Sequence, residues 1–162
     1  MMQLGHYGTA LLLYSPVARF LLASGDDALA LVGGALAIAL AMAPDCDRPI
    51  PFVDHRGPTH TFGFAVLVGL LVGAAGWVVG SQVDAAAART FGRFGFAVGA
   101  LTVVSHLLAD VITPMGIRPF WPLSDRHFTL DLVYAKNWAA NVLLFVLGTV
   151  ATLLVVFASL GS

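Results

Sequence analysis

Apolar residues fall in long, nearly unbroken blocks separated by short polar segments. Blocks 60–83 and 94–113 are long enough to cross a hydrocarbon core of about 30 Å at about 1.5 Å per residue, and so is 139–160. Block 28–43 is shorter and needs thinned bilayer or neighbours at its ends. The first block, 8–23, is interrupted by Pro16 and Arg19 and reads as a short or interfacial helix packed on the others. With no Lys or Arg before it, it does not read as a secretory signal. The blocks are continuous and rich in Ala, Leu and Gly rather than alternating, which argues against membrane strands. The expected fold is an all-α, polytopic membrane bundle of four to five helices, a single domain over residues 1–162.

Composition agrees with this pattern. The chain is 59% hydrophobic and 10% charged, with a net charge of −1 and a mean hydropathy of +0.89. Soluble domains run at about 45–50% apolar and about 25% charged. Nothing in the charge distribution provides a footprint for nucleic acid, which needs clustered Lys and Arg. The single cysteine, Cys46, excludes an internal disulfide framework and a Cys-rich zinc finger. Gly69/Gly73, Gly76/Gly80 and Gly95/Gly99 are each four apart, the spacing at which membrane helices approach closely. Trp121, Tyr134 and Trp138 suit an interfacial aromatic belt before the last helix. If all five blocks cross, the N-terminus, the 44–59 loop and the 114–138 loop share one side. That side carries Arg48, Arg56, Arg118, Arg126 and Lys136, against Arg19, Arg89 and Arg93 opposite, so the expectation is a cell-membrane protein with this face in the cytoplasm.

With so few polar residues, their placement carries the chemistry. Pro44-Asp45-Cys46-Asp47, followed by Asp54-His55-Arg56-Gly57-Pro58-Thr59-His60-Thr61, sets carboxylates and histidines between two membrane blocks. These are ligands for hard to borderline metal ions. A solvated interhelical loop also collects charge, but His60 leads directly into an apolar helix. The second cluster lies on block 94–113, where His106, Asp110 and Thr113 fall at i, i+4 and i+7, an arc of about 60° on one helical face. An ionisable pair on an apolar membrane helix is costly and marks a functional site by default; the plain alternative is a His–Asp pair that only fixes packing. His6 alone reads as a surface or capping residue. In the five-crossing topology, however, it shares a face with both clusters, the convergence that a polynuclear metal site requires.

These residues resemble the YdjM-type membrane-bound metal-dependent hydrolases. The likeness rests on Pro44-Asp45-x-Asp47, His55-Arg56-Gly57-Pro58-Thr59-His60 and His106-x-x-x-Asp110-x-x-Thr113-Pro114-x-Gly116, with the early His6 in keeping. Thr61 stands where Ser is expected and keeps the hydroxyl. The resemblance implies a multi-helix membrane protein with metal-dependent hydrolase activity. It also implies a distant likeness to the all-α zinc phospholipase C and P1-nuclease group, which cleaves phosphoesters with clustered zinc ions; that step is an analogy of fold.

The expected mechanism is metal-assisted hydrolysis at the membrane surface. His6, Asp45, Asp47, His60, His106 and Asp110 are the expected ligands of a divalent metal, with Zn²⁺ favoured and Mn²⁺ compatible. A bound ion lowers the pKa of water towards neutrality. Arg56 is expected to hold an anionic oxygen by its bidentate fork, and His55 to be a further ligand or the proton donor to the leaving group. Thr59 and Thr113 are expected to orient the ligands. A lipid or lipid-linked phosphoester is the favoured substrate, and a soluble one is equally compatible. The alternatives are a small proton or metal-ion transporter, or a membrane protein with a structural metal. Transport calls for polar groups continuing through the crossing, whereas polarity stops about one turn beyond His106, at Thr102. Cys46 reads as a bystander. Asp125, Arg126, His127 and Asp131 read as a solvated, partly interfacial face, with His127 a possible supplement to the site. No Walker loop, Gly-x-Ser-x-Gly elbow or His-Glu-x-x-His sequence occurs, and the chain has no Glu.

Overall fold

In the computed structural model, which describes residues 1–48 and 56–161, the chain is helical. The helices are α1 (Gln3–Ala23), α2 (Asp27–Leu40), α3 (Phe62–Ser81), α4 (Ala85–Val111) and α5 (Trp138–Leu160), with short 3₁₀ turns at Pro44–Asp47 and Pro58–His60. Among the described residues, extended pairing is confined to an isolated bridge between Ile117 and Phe128. Among the described residues, four segments are long and apolar enough to cross a membrane: Asp27–Asp47, Phe62–Ser81, Ala85–Val111 and Trp138–Leu160. The short block 28–43 is completed by its own continuation, because the 3₁₀ turn at Pro44 carries the chain onward to Asp47.

Two expectations change. The first block is not a short helix broken at Pro16 but 21 residues of α-helix. Proline lacks the N–H that would bond the Leu12 carbonyl, and the Ser15 hydroxyl donates to that carbonyl instead, at 2.8 Å. α1 runs parallel to α5 along its length. Gly5 lies against Asn141 and Gly8 against Leu144, and farther along Val155 packs with Tyr14 and Ala18. α1 thus accompanies α5 from end to end, although it is not among the four helices apolar enough to cross a membrane. α4 also begins earlier than its apolar block, at Ala85, where the Asp84 carboxylate accepts from Ala86 N and Ala87 N at 2.7 Å each. Its C-terminal boundary falls at Val111, so Thr113 stands in the turn beyond rather than on the helix.

α3 and α4 form a hairpin packed backbone to backbone. A Cβ on Gly95 would lie 2.6 Å from the Val72 carbonyl oxygen, and one on Gly80 would lie 2.5 Å from that of Ala87. The glycine spacing read from the sequence therefore serves close helix approach. Near the middle, the Tyr14 hydroxyl donates to the Ala30 carbonyl at 2.9 Å, joining α1 to α2. Large apolar side chains point outward, among them Leu31, Leu71, Leu154 and Phe157, each more than 60% exposed. Such a surface suits lipid, while His6, Asp45, Asp47, His60, His106 and Asp110 are buried. The alternation of helices brings the start of α1, the end of the α2 segment, the start of α3 and the end of α4 to one end of the bundle.

Candidate metal centre

The converging ends carry the buried ionisable groups. His6 comes from the first turns of α1, and Asp45 from the 3₁₀ turn after α2. His60 ends the 3₁₀ turn before α3, and His106 and Asp110 occupy the last turns of α4. All five are less than 9% exposed, and His60 and His106 are fully buried. Four of their atoms form a closed ring in which nitrogen and oxygen alternate. His60 Nε2 to Asp45 Oδ1, Asp45 Oδ1 to His106 Nε2 and His106 Nε2 to Asp110 Oδ2 are each 3.5 Å, and Asp110 Oδ2 to His60 Nε2 is 3.4 Å.

These edges are too long for hydrogen bonds, which run at about 2.7–3.2 Å. The donor atoms of His60, His106 and Asp110 all lie within 4.8 Å of one another, close enough to share one cation.

Hydrogen bonding around the ring leaves the right atoms facing inward. His106 Nδ1 is 2.7 Å from the Ala41 carbonyl; a carbonyl only accepts, so Nδ1 carries the proton. Nε2 of His106 is buried with no hydrogen-bond partner among the described residues, opposite two carboxylate oxygens. A proton there would reach neither at hydrogen-bonding distance. On His60, Nδ1 lies 3.0 Å from Thr59 Oγ1, and that hydroxyl donates to Asp47 Oδ2 at 2.6 Å. The hydroxyl oxygen must then accept from Nδ1–H, which turns Nε2 to the ring as a lone pair.

The carboxylates are tethered in the same manner. Asp45 Oδ2 pairs with Arg48 Nη2 at 2.9 Å, and Oδ1 faces the ring. Asp110 Oδ1 accepts from Arg56 Nη2 at 2.7 Å and from the Met1 α-amino group at 2.5 Å, and Oδ2 faces the ring. Each member therefore has one atom fixed by the protein and one directed inward, the outer-sphere arrangement that orients metal ligands. His6 stacks on His106, ring centroids 3.6 Å apart and 2° from parallel. Its nitrogens also lack hydrogen-bond partners among the described residues, and with Asp45 and His106 it forms a second group of potential metal donors. These buried groups can hold a metal ion.

Other expected residues take different places. Asp47 is not in the ring: its Oδ2 accepts from Thr59 Oγ1 and, at 3.2 Å, from Arg56 N, and it stands 3.4 Å behind His60 Nδ1. The reason is turn geometry, since residues two apart on a 3₁₀ turn point about 240° apart. The Arg56 fork is not open to a substrate anion. Nη2 bonds Asp110, and Nη1 bonds Thr113 Oγ1 at 2.9 Å and the Gly116 carbonyl at 3.0 Å. Arg56 holds this position with φ of 65°, a backbone strain that commonly accompanies functional sites. Thr113 also donates to the Asp110 carbonyl at 2.8 Å, so its expected orienting role has a geometric basis, as does that of Thr59. His55 lies outside the described residues, with Asp54. His127 is exposed and bonds the Met115 carbonyl at 2.8 Å, so it braces its own loop, and Cys46 is exposed.

Three contributors had no assigned role in the sequence. Arg48 and the Ala41 carbonyl were silent there. Asn141 was visible as the lone amide early in the last apolar block. It is 1% exposed and accepts from Met2 N at 2.8 Å, fixing the start of α1, and thus His6, against α5. Beyond the ring the hydroxyls turn back on their own helix: Thr102 donates to the Val98 carbonyl at 2.8 Å and Ser105 to that of Thr102 at 2.7 Å.

No curated protein and no solved structure matches the chain. The model of the YdjM inner membrane protein family matches residues 1–161, essentially the whole chain, including every segment that contributes to the ring. With its apolar spans, this multi-pass membrane protein belongs to the YdjM inner membrane protein family.

Proposed function

We propose that the protein is a membrane-bound metal-dependent hydrolase acting on a phosphoester or another ester at the membrane surface. The observation that carries this reading is the ring of two imidazole nitrogens and two carboxylate oxygens with 3.4–3.5 Å edges. Its mixed nitrogen and oxygen set favours zinc and also suits manganese. A divalent ion held there supplies Lewis acidity and lowers the pKa of water towards neutrality. The chain's own residues orient the ligands, through Arg56 on Asp110 and the Thr59–Asp47 pair on His60. Thr102 and Ser105 spend their hydroxyls on helix carbonyls, which supports a site at one face over an ion conduit. The excess of Arg and Lys on the ring side supports a cytoplasmic orientation.

The test is elemental analysis of the detergent-purified full chain beside His106→Ala and Asp110→Ala, with hydrolysis of a phosphoester panel on the same samples. Stoichiometric zinc or manganese with measurable hydrolysis is expected in the wild type, and both are expected to be lost in the variants while the protein stays in the membrane fraction. Metal retained in both variants would refute the ring as its site. Metal bound without hydrolysis across the panel would count for a structural metal.

A further inference from the structure

Beside the ring, a cavity of about 530 Å³ opens between the end of α4 and the approach to α5. Arg56 and Thr113, both bonded to Asp110, form its inner wall, Met115, Tyr134 and Ala135 its apolar sides, and Lys136 adds a cation. Nothing in the ring uses this space. The Arg56 charge is already matched by Asp110, at 2.7 Å. Lys136 is different: it is exposed and lies in none of the ion pairs found among the described residues.

The surrounding chain places this cavity at membrane depth. Leu130 N bonds the Val111 carbonyl at 2.7 Å and Leu132 N bonds that of Ile112 at 3.0 Å. The 128–133 segment is thus tied to the final residues of a spanning helix. Yet Leu130, Leu132, Tyr134 and Met115 are 59–77% exposed, and Trp138 begins α5 just beyond. Exposed large apolar and aromatic groups at the end of a span belong at the headgroup and upper acyl level. An opening with these apolar sides and one uncompensated cation is complementary to an anionic head on an acyl chain, and a poor match for a small hydrophilic anion.

We infer that this cavity binds an anionic phosphate amphiphile drawn from the bilayer, with Lys136 receiving the phosphate and Met115 and Tyr134 flanking the chain. This rests on the hydrolase reading and narrows it, making the substrate class a lipid phosphoester bound beside the Arg56–Asp110 pair.

The test is photo-crosslinking of the full chain in phosphatidylcholine nanodiscs with a photoactivatable phosphatidic acid, followed by mapping of the labelled residues. Label concentrated on 113–136 is expected, competed by dodecyl phosphate and not by inorganic phosphate or dodecanol. Labelling should fall roughly tenfold in Met115→Trp, which fills the cavity, and several-fold in the surface variant Lys136→Ala. Label spread evenly over the lipid-facing sides of α3 and α5 would overturn the inference. So would equal competition by inorganic phosphate, which identifies a soluble anion as the ligand, or unchanged labelling in both variants. Labelling reads the cavity alone, and the metal content of His106→Ala reads the hydrolase assignment, so the two can fail separately.

Discussion

Asp45 and Asp47 are the same residue type two positions apart, yet they serve the centre differently. Asp45 offers an oxygen to the ring, and Asp47 holds Thr59, which in turn fixes the His60 tautomer. Asp47→Asn should therefore weaken metal binding by about 10–100-fold, as loss of an outer-sphere partner does, while Asp45→Asn should remove stoichiometric metal. Thr59→Val should behave like Asp47→Asn, and Thr59→Ser, which keeps the hydroxyl, should approach wild type. Competitive chelator titration reads all four, and equal losses for Asp45→Asn and Asp47→Asn would contradict the division of roles. Arg56 adds a related case. Lysine keeps the charge without the fork, so Arg56→Lys should leave Asp110 Oδ1 less firmly held and lower metal affinity in the same titration. The ligand types and the His106–Asp110 spacing were legible in the sequence because a 3.6-residue repeat fixes which residues share a face. The difference between Asp45 and Asp47 was not, because it depends on a 3₁₀ turn and on a threonine twelve residues away.

Among the helices, the hidden features are those in which a local signal is cancelled by a neighbour. Pro16 argues for a break in α1, and the adjacent Ser15 hydroxyl bonds the carbonyl that the proline leaves open. Arg89 and Arg93 precede the apolar block of α4 yet lie within its helix, since long side chains at a membrane helix end carry their charge to the interface. The glycine repeat, by contrast, was readable because close approach has few other solutions in lipid. At Gly95 the neighbouring Val72 carbonyl leaves no room for a side chain. Gly95→Leu should force α3 and α4 apart at a cost of about 1–3 kcal/mol or more, seen as a lowered midpoint of thermal unfolding in detergent. Gly95 lies three helical turns from His106, so the protein that remains folded should retain its metal. An unchanged midpoint would show that the hairpin does not depend on contact at this level.

At the scale of the whole molecule, the site exists because consecutive crossings return alternate helix ends to one face. His6, Asp45, His60 and His106 are contributed by four different elements, and they meet because the start of α1 and the end of the α2 segment lie at one end of the bundle. The sequence left this undecided, since a first helix lying flat would still bring His6 near the face. The parallel packing of α1 on α5 places residues 24–26 at the opposite end of the bundle from Asp45, which predicts a crossing for α1 although it is not among the four helices apolar enough to span by composition. Cysteine accessibility in sealed vesicles tests this topology with the native Cys46, which is exposed on the ring side, as one reporter. In a Cys46→Ser background, Lys136→Cys should label from the same side as Cys46 does in the wild type, and Asp26→Cys and Gln82→Cys from the opposite side. If Asp26→Cys labelled with Cys46, α1 and α2 would not be full crossings, and His6 could not reach His106 by the route described. If all four behaved as expected, cytoplasmic labelling of Cys46 would further agree with the arginine and lysine excess on that face. The catalytic proposal would then concern a site open to the inner leaflet, where anionic lipids and positively charged flanking residues meet.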